Sequence, residues 1–386
     1  MVNKKLLNIA FLSTSPPREC GIATFTQDLI DAIDASGLVE TSVIAVNNSV
    51  HRDYGSKVIL EINQNTQKDY LELAQKLNHS NIDLLVIEHE YGIYGGDHGE
   101  YILDLVNNID IPVITTLHTI LREPNDKQKL IIKILGEKSV KIITMAKNTS
   151  RLLQTVYGVS PNKIEVIHHG VPVRLVPARQ SLKNKFGYKD KQIISTFGLL
   201  SPGKGIEYAI EAISKASAVN KNIIYLILGQ THPDQKDESY REKLEALVTK
   251  YHLEENVKFV NKYLTKDEII RYLQMSDIYM TPYLSRDQAV SGTLAYAVGY
   301  GRAIISTPYL YAKEMLSEQR GLLAEFENSE SLSNCLNYIL QNPDEKIRME
   351  KNTIKLGETM YWHIVAKHYT DVFLKAAVLN EVTGVI

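Results

Sequence analysis

Short apolar runs alternate with longer stretches of helical periodicity along almost the whole chain. Leu6–Thr14, Thr41–Val46, Ile82–Glu88, Pro112–His118 and Lys141–Met145 read as strands. After a break the series resumes at Gln192–Leu200, Ile223–Gly229, Val257–Val260, Asp277–Tyr283 and Ala303–Thr307. Between them Ala23–Ala35, Asp69–Leu77, Ile206–Ala216, Tyr240–Tyr251 and Asp267–Met275 carry apolar residues at helical spacing. The runs IDLLVIEHE and IIYLILG are apolar on both faces, as central strands of a helix-covered parallel sheet are. Regular strand–helix alternation implies right-handed βαβ units. Two such series predict two doubly wound, Rossmann-like α/β domains. The segment VPVRLVPARQS interrupts the alternation with Pro172 and Pro177, so Pro172–Ser181 is expected to be an extended linker. The predicted domains are residues 1–175 and 176–361, followed by one more amphipathic helix within 362–386.

A chain of 386 residues fits two domains at roughly 100–200 residues each. Lys and Arg total 43 against 45 Asp and Glu, a formal charge of −2, which offers no global cationic surface and excludes nucleic acid as the primary partner. Cys20 and Cys335 lie too far apart in sequence to read as a disulfide framework or a metal motif. The apolar stretch after the first lysines is short and runs into Ser, Thr and Pro without a small-residue cleavage site, unlike a secretory signal. No run approaches the roughly 18 apolar residues of a membrane span. A soluble, cytoplasmic protein is the expectation.

In open α/β sheets ligands bind beyond the carboxyl ends of the strands, so the loops there carry the chemistry, and two such domains predict a site in a cleft between them. SPPRECG (15–21) follows the first strand and leads into a helix expected near Ile22, where free backbone N–H groups and Gly21 would admit an anion. GLLSPGKG (198–205) comes within one position of a P-loop, but Gly205 stands where that motif needs a magnesium-binding hydroxyl. Lys204 remains a candidate phosphate cation. SRDQAVSGTLAYAVGYG (285–301) follows another strand, and Ser291-Gly292-Thr293 opens a small-residue helix with accessible N–H donors. His118 ends a buried-type strand and could hydrogen-bond a hydroxyl or exchange a proton. His168 and His169 read as structural. Glu88 and Glu90 could share a face, yet sequence places no third ligand, so no metal is expected. Asp126–Lys141 carries five lysines around an apolar face, which fits a core-packed helix and leaves peripheral membrane contact open.

Taken together these loops resemble the retaining nucleotide-sugar glycosyltransferases of family 4, which have the GT-B fold, over essentially the whole chain. The resemblance rests on PPRECGIATF, on His118 in TTLH and on VIHHGV (166–171), where the family often shows V-I-P-N-G-V. It continues with GLLSPGKG against G-R-L-x-x-x-K-G, with AYAVGYGRAIIST against E-A-M-A-x-G-x-P-V-I-A-T, and with a tail, YWHIVAKHYTDVF, like the family's terminal Trp-led helix. It implies an N-terminal acceptor-side domain, a C-terminal nucleotide-sugar domain and a last helix crossing back to the first domain. By the same resemblance Gly21 lies by the donor diphosphate and His118 contacts the donor sugar near its reacting centre. Lys204 binds the diphosphate, and the backbone at Ser291, Gly292 and Thr293 caps it. The family's arginine falls on Leu199, and its paired glutamates fall on Gln288 and Tyr296. Asp287 is the nearest acid and Arg286 the nearest substitute cation. The loop LGQTHPDQ and the run SGTLAYA resemble a less studied bacterial subgroup that shares these replacements, which implies that they are subgroup features.

The implied reaction moves a hexose from a UDP- or GDP-sugar to a hydroxyl of a saccharide or glycoconjugate with retention of configuration, using no cofactor or metal. Alternatives on the same scaffold are a glycoside phosphorylase, a sugar-nucleotide epimerase or a non-catalytic sugar or nucleotide binder. Donor selectivity is expected in loops such as Gly229–Asp234 and Asn261–Leu264. The implied place of work is the cytoplasm, with attachment to the inner face of a membrane left open.

Overall fold

The structure is a computed structural model that describes residues 6–48, 50, 52–231 and 237–383, with side chains to residue 377. Two compact units divide it: Met1–Pro172 with Tyr361–Ile386, and Val173–Met360. In the first unit, β1 (Leu7–Ser13), α1 (Gly21–Asp34), β2 (Val39–Asn47), β3 (Val58–Asn63), α2 (Gln67–Asn78) and β4 (Leu84–His89) are followed by α3 (Ile102–Asn108). Then come β5 (Val113–Leu117), α4 (Asp126–Lys138), β6 (Lys141–Thr144), α5 (Lys147–Thr155) and β7 (Ile164–Val166). The sheet runs β3-β2-β1-β4-β5-β6-β7 and is parallel throughout.

The second unit contains α6 (Arg179–Lys185), β8 (Gln192–Phe197), α7 (Ile206–Val219), β9 (Ile223–Leu228), α8 (Ser239–Lys250), β10 (Val257–Val260) and α9 (Lys266–Met275). It continues with β11 (Ile278–Thr281), α10 (Gly292–Gly299), β12 (Ala303–Ser306), α11 (Leu310–Met315), β13 (Gly321–Leu323), α12 (Ser329–Gln341) and α13 (Pro343–Thr359). Its parallel sheet has the order β10-β9-β8-β11-β12-β13. The final helix, α14 (Trp362–Thr383), belongs to the first unit.

Every residue of β4 and of β9 is buried, the reason both segments read as apolar without alternation. The edge strand β3 instead alternates half-buried and exposed positions, and its mixed sequence VILEIN escaped the pattern reading. The three-residue strands β7 and β13 escaped it too. The linker ends earlier than expected, because α6 begins at Arg179. Once past Pro177 nothing in ARQSLKNK opposes a helix, and Leu182 and Lys183 are buried by it. The strand expected to reach Leu200 stops at Phe197, where Gly198 turns the backbone to a φ of +138°.

Asn125 with Gln128, and Thr265 with Glu268, form reciprocal caps that start α4 and α9. α4 buries Ile131, Ile132 and Leu135, and several of its lysines are engaged locally, Lys127 with Glu100 and Lys133 with Glu137. In the second unit Ile206, Ile210 and Ile213 of α7 pack with Leu332 and Leu336 of α12 over the sheet. Beneath that sheet's amino edge, Asp277 is 3% exposed and takes a hydrogen bond from Ile193 N–H at 2.8 Å, with Lys183, Lys346 and Arg179 around its carboxylate. Burial alone would raise its pKa, but Lys183, Lys346 and the Ile193 N–H outweigh that and hold the carboxyl below its ordinary value. α14 closes onto the first unit, with Phe373 edge-on to Phe11 and Trp362 pressed so close to Gly170 that a Cβ there would lie 2.1 Å from the indole. No described helix is long and apolar enough to cross a membrane.

Candidate active site

In the second unit the winding direction reverses between β8 and β11, the point where a doubly wound sheet opens a crevice at its carboxyl edge. The loops after these two strands are stitched together there. Leu284 N–H donates to Gly203 O at 2.9 Å. Gly205 holds a φ of +60°, and a Cβ on it would stand 2.2 Å from Pro282 O, so only glycine fits that crossing. The short turn Pro202–Lys204 between them carries the Lys204 ammonium 3.9 Å above the centre of the Tyr283 ring. Tyr283 is itself stacked on Tyr309, with ring centres 5.6 Å apart and planes within 16°. Among the described residues no carboxylate pairs with Lys204.

Tyr283 also reaches the start of α10, its hydroxyl lying 2.8 Å from Thr293 Oγ1. Ser291, 3% exposed, caps that helix by accepting from Leu294 N–H at 3.3 Å, and its hydroxyl lies 3.1 Å from Thr293 Oγ1. The first N–H groups of α10, at Gly292 and Thr293, have no partner within the helix. Gly198 adjoins both elements, since a Cβ there would lie 3.7 Å from Thr293 Cγ2 and 4.0 Å from Lys204 Nζ. Lys204, Ser291, Gly292 and Thr293, separated by almost ninety residues of sequence, therefore meet around Gly198 as a cation beside a helix amino end. A cation beside a helix amino end has the chemistry to hold a phosphate or diphosphate.

The neighbouring candidates sit differently. The Arg286 guanidinium lies over the Phe326 ring at 4.3 Å, and its carbonyl accepts from Leu310 N–H. Gln288 donates to Val290 O at 3.1 Å and its carbonyl accepts from Tyr311 N–H. With half-buried Asp287 these residues seat the 285–290 loop against α11. Of the loops expected to select the donor, residues 232–234 lie outside the described residues.

In the first unit the reversal falls between β1 and β4. Gly21 is the first residue of α1, and Cys20 caps it by accepting from Ala23 N–H through sulfur at 3.5 Å. A Cβ on Gly21 would meet nothing within 4 Å, so the fold itself does not require a glycine there. One turn on, Phe25 presents its ring to three others: His118 at 4.9 Å, His169 at 5.1 Å and Trp362 at 5.4 Å. His118 follows β5 and continues its ladder, donating its N–H to His89 O at 3.0 Å. Its ring is 8% exposed, and Nε2 donates to Glu88 Oε2 at 2.7 Å. His169 donates through Nδ1 to Gly170 O at 2.7 Å, and burial lowers its pKa to about 4. His168 donates to Met145 O at 3.2 Å. His89 is wholly buried between Tyr91 and Tyr94, and burial lowers its pKa to about 3. Glu90 is taken up by Thr119, whose hydroxyl donates at 2.5 Å. Among the described residues no three His, Cys, Asp or Glu side chains are grouped to hold a metal ion.

Three residues of this architecture escaped the sequence reading: Tyr283 as the platform of Lys204, Phe25 as the hub around His118, and Glu88 as the partner of His118. A carboxylate inside the otherwise apolar run LLVIEH was the one available signal for the last.

Residues 178–356 match the family model described as glycosyl transferases group 1, and residues 21–175 match glycosyltransferase family 4. A curated relative, D-inositol 3-phosphate glycosyltransferase of Corynebacterium glutamicum, is 21% identical over 300 residues, 71% of this chain and 69% of that one. Among solved structures, sucrose-phosphate synthase from Thermosynechococcus elongatus superposes with a TM-score of 0.78 at 16% identity, covering 96% of this chain and 98% of the other. Anabaena HepE in complex with UDP gives 0.76 at 14% identity, over 96% and 100%. The two matched segments leave little of the chain outside them, and it belongs to the group 1, family 4 glycosyltransferases of the GT-B fold.

Proposed function

We propose that this glycosyltransferase takes a hexose from a nucleoside-diphosphate sugar, UDP- or GDP-linked, and joins it to a hydroxyl of a saccharide or glycoconjugate, retaining the anomeric configuration and using no metal. The observation that carries the reading is Lys204, an ammonium with no carboxylate partner among the described residues, held on Tyr283 beside Gly198 and the capped start of α10. As the glycosidic bond to the diphosphate breaks, negative charge grows on the departing group. A fixed cation and helix N–H dipoles stabilise that charge with little reorganisation. Positions 288 and 296 hold Gln and Tyr in place of the family's glutamates, which suits a mechanism whose leaving phosphate oxygen takes the acceptor proton. On the first unit, Nδ1 of His118 is the ring nitrogen available to a sugar hydroxyl. That HepE has been crystallised with UDP and with UDP-glucose favours a uridine donor here.

A thermal-shift panel of UDP, GDP, ADP, their sugar conjugates and inorganic phosphate tests the reading, since a ligand bound only by the folded state raises stability. Stabilisation by one nucleoside diphosphate is expected and identifies the base. A response to phosphate or free oligosaccharide, with none to any nucleotide, would replace this reading with a phosphorylase or a plain binder.

A further inference from the structure

We infer that Glu88 is a positioning residue for His118, fixing the ring through Nε2 so that Nδ1 is the nitrogen offered to the sugar. The inference rests on the reading of His118 as the donor-sugar contact and adds to it the residue that acts through it. Glu88 lies at 0% exposure on the central strand β4, and Oε2 accepts from His118 Nε2 at 2.7 Å. Oε1 is shut off from solvent without a donor among the described residues. Among the described residues the hydrogen bond from His118 is thus the one that this carboxylate accepts.

A carboxylate in that position is costly to the fold. Burying a charge carries a desolvation penalty that one hydrogen bond seldom recovers, and apolar residues of similar volume usually serve a core as well or better. Among the described residues no other charged partner compensates it. His89, next in the strand, and His169, across Phe25, are both kept neutral by burial, their pKa values lowered to about 3 and about 4. Tyr369, on α14, is buried with its hydroxyl held protonated far above its ordinary range by burial and by the Glu88 charge. The remaining contact, Phe25, is apolar and meets His118 edge-on. The His118 main chain is fixed by the ladder to His89, so Glu88 and Phe25 together settle the two angles of the imidazole. Among the described residues Nδ1 makes no hydrogen bond. With Nε2–H committed to Glu88, a neutral ring accepts a sugar hydroxyl at Nδ1 and a protonated ring donates to a sugar oxygen there.

The test compares Glu88→Gln, His118→Asn and the double variant in the full-length protein. The assay is release of UDP from UDP-glucose and of GDP from GDP-mannose, with calorimetric binding of UDP and GDP as the control. Glutamine keeps the shape and can accept from Nε2 but removes the charge. The expected result is a roughly ten- to hundred-fold fall in kcat for Glu88→Gln, the worth of a hydrogen bond to a charged group, with nucleotide affinity unchanged and a melting temperature no lower than the parent's. The same substitution should cost nothing further in the His118→Asn background, because both changes remove one unit. Full activity of Glu88→Gln beside a crippled His118→Asn would overturn the positioning role and leave the His118 reading intact. Full activity of His118→Asn would overturn both. Proton NMR decides the pair whatever the donor. A downfield, slowly exchanging imidazole N–H should vanish in His118→Asn and move upfield in Glu88→Gln, and indifference to Glu88→Gln would refute the inference.

Discussion

Replacing Lys204 with methionine keeps a flexible chain over Tyr283 and removes only the charge. In the free protein that charge has one partner among the described residues, the Tyr283 ring 3.9 Å below it, a contact worth about 0.5–1 kcal/mol at a half-exposed position. The fold should therefore barely notice, with a melting temperature lowered by a few degrees at most. The bound state is different. A charge about 4 Å from one phosphate charge, at an effective dielectric of about 20, is worth about 4 kcal/mol, and hydrogen bonds to charged groups measured by mutation give about 1.5–3 kcal/mol. The affinity for a nucleoside diphosphate should accordingly fall by a factor between about ten and a thousand. The corresponding free nucleoside should bind the variant as it binds the parent, since it brings no phosphate. Titration calorimetry of both ligands on both proteins reads the two numbers directly. Diphosphate affinity within about threefold of the parent would show that Lys204 does not face the phosphates. Equal losses for nucleoside and nucleoside diphosphate would show a distorted pocket rather than a missing charge.

Other outcomes follow from the packing. Gly229 has a φ of +138°, and a Cβ on it would lie 2.1 Å from Gly198 O, so Gly229→Ala should destabilise the second unit by about 3 kcal/mol or more in urea unfolding and also impair nucleotide binding by displacing Gly198. Asp277→Ala leaves Lys183 buried without its carboxylate and should cost about 3–5 kcal/mol by the same measurement, whereas an exposed pair such as Lys367 with Asp371 should cost under about 1 kcal/mol. His89 and His169 are neutral in the folded protein and free to take a proton when unfolded. As pH falls below about 6.5 the unfolded state binds more protons, and stability should drop by up to about 1.4 kcal/mol per pH unit for each, until the folded-state values of about 3 for His89 and about 4 for His169 are reached. Urea unfolding from pH 7 to pH 5 checks that slope. His89→Met should remove part of it, and an unchanged slope would mean that His89 is not buried neutral.

The sequence by itself determined the architecture. Runs such as LLVIEH and IIYLIL must be buried on both faces, and only a parallel sheet covered by helices does that, so two α/β units followed from pattern alone. It also marked Gly21, His118, Lys204 and Ser291 as strand-end or helix-start positions, because that placement depends on local order along the chain. Edge strands and three-residue strands were illegible, since their pairing is held by neighbours rather than by their own periodicity. Side-chain partnership was decided only in three dimensions. Lys204 rests on Tyr283, 79 positions away, because the loops after β8 and β11 cross at Gly205. Arg286, next in sequence to Asp287 and Gln288, turns its guanidinium onto Phe326. Glu88 and His118 are 30 residues apart and meet because β4 and β5 pair in parallel, with His89 opposite Leu117. Register and loop crossings are properties of the folded sheet, and a list of residues along one chain does not contain them.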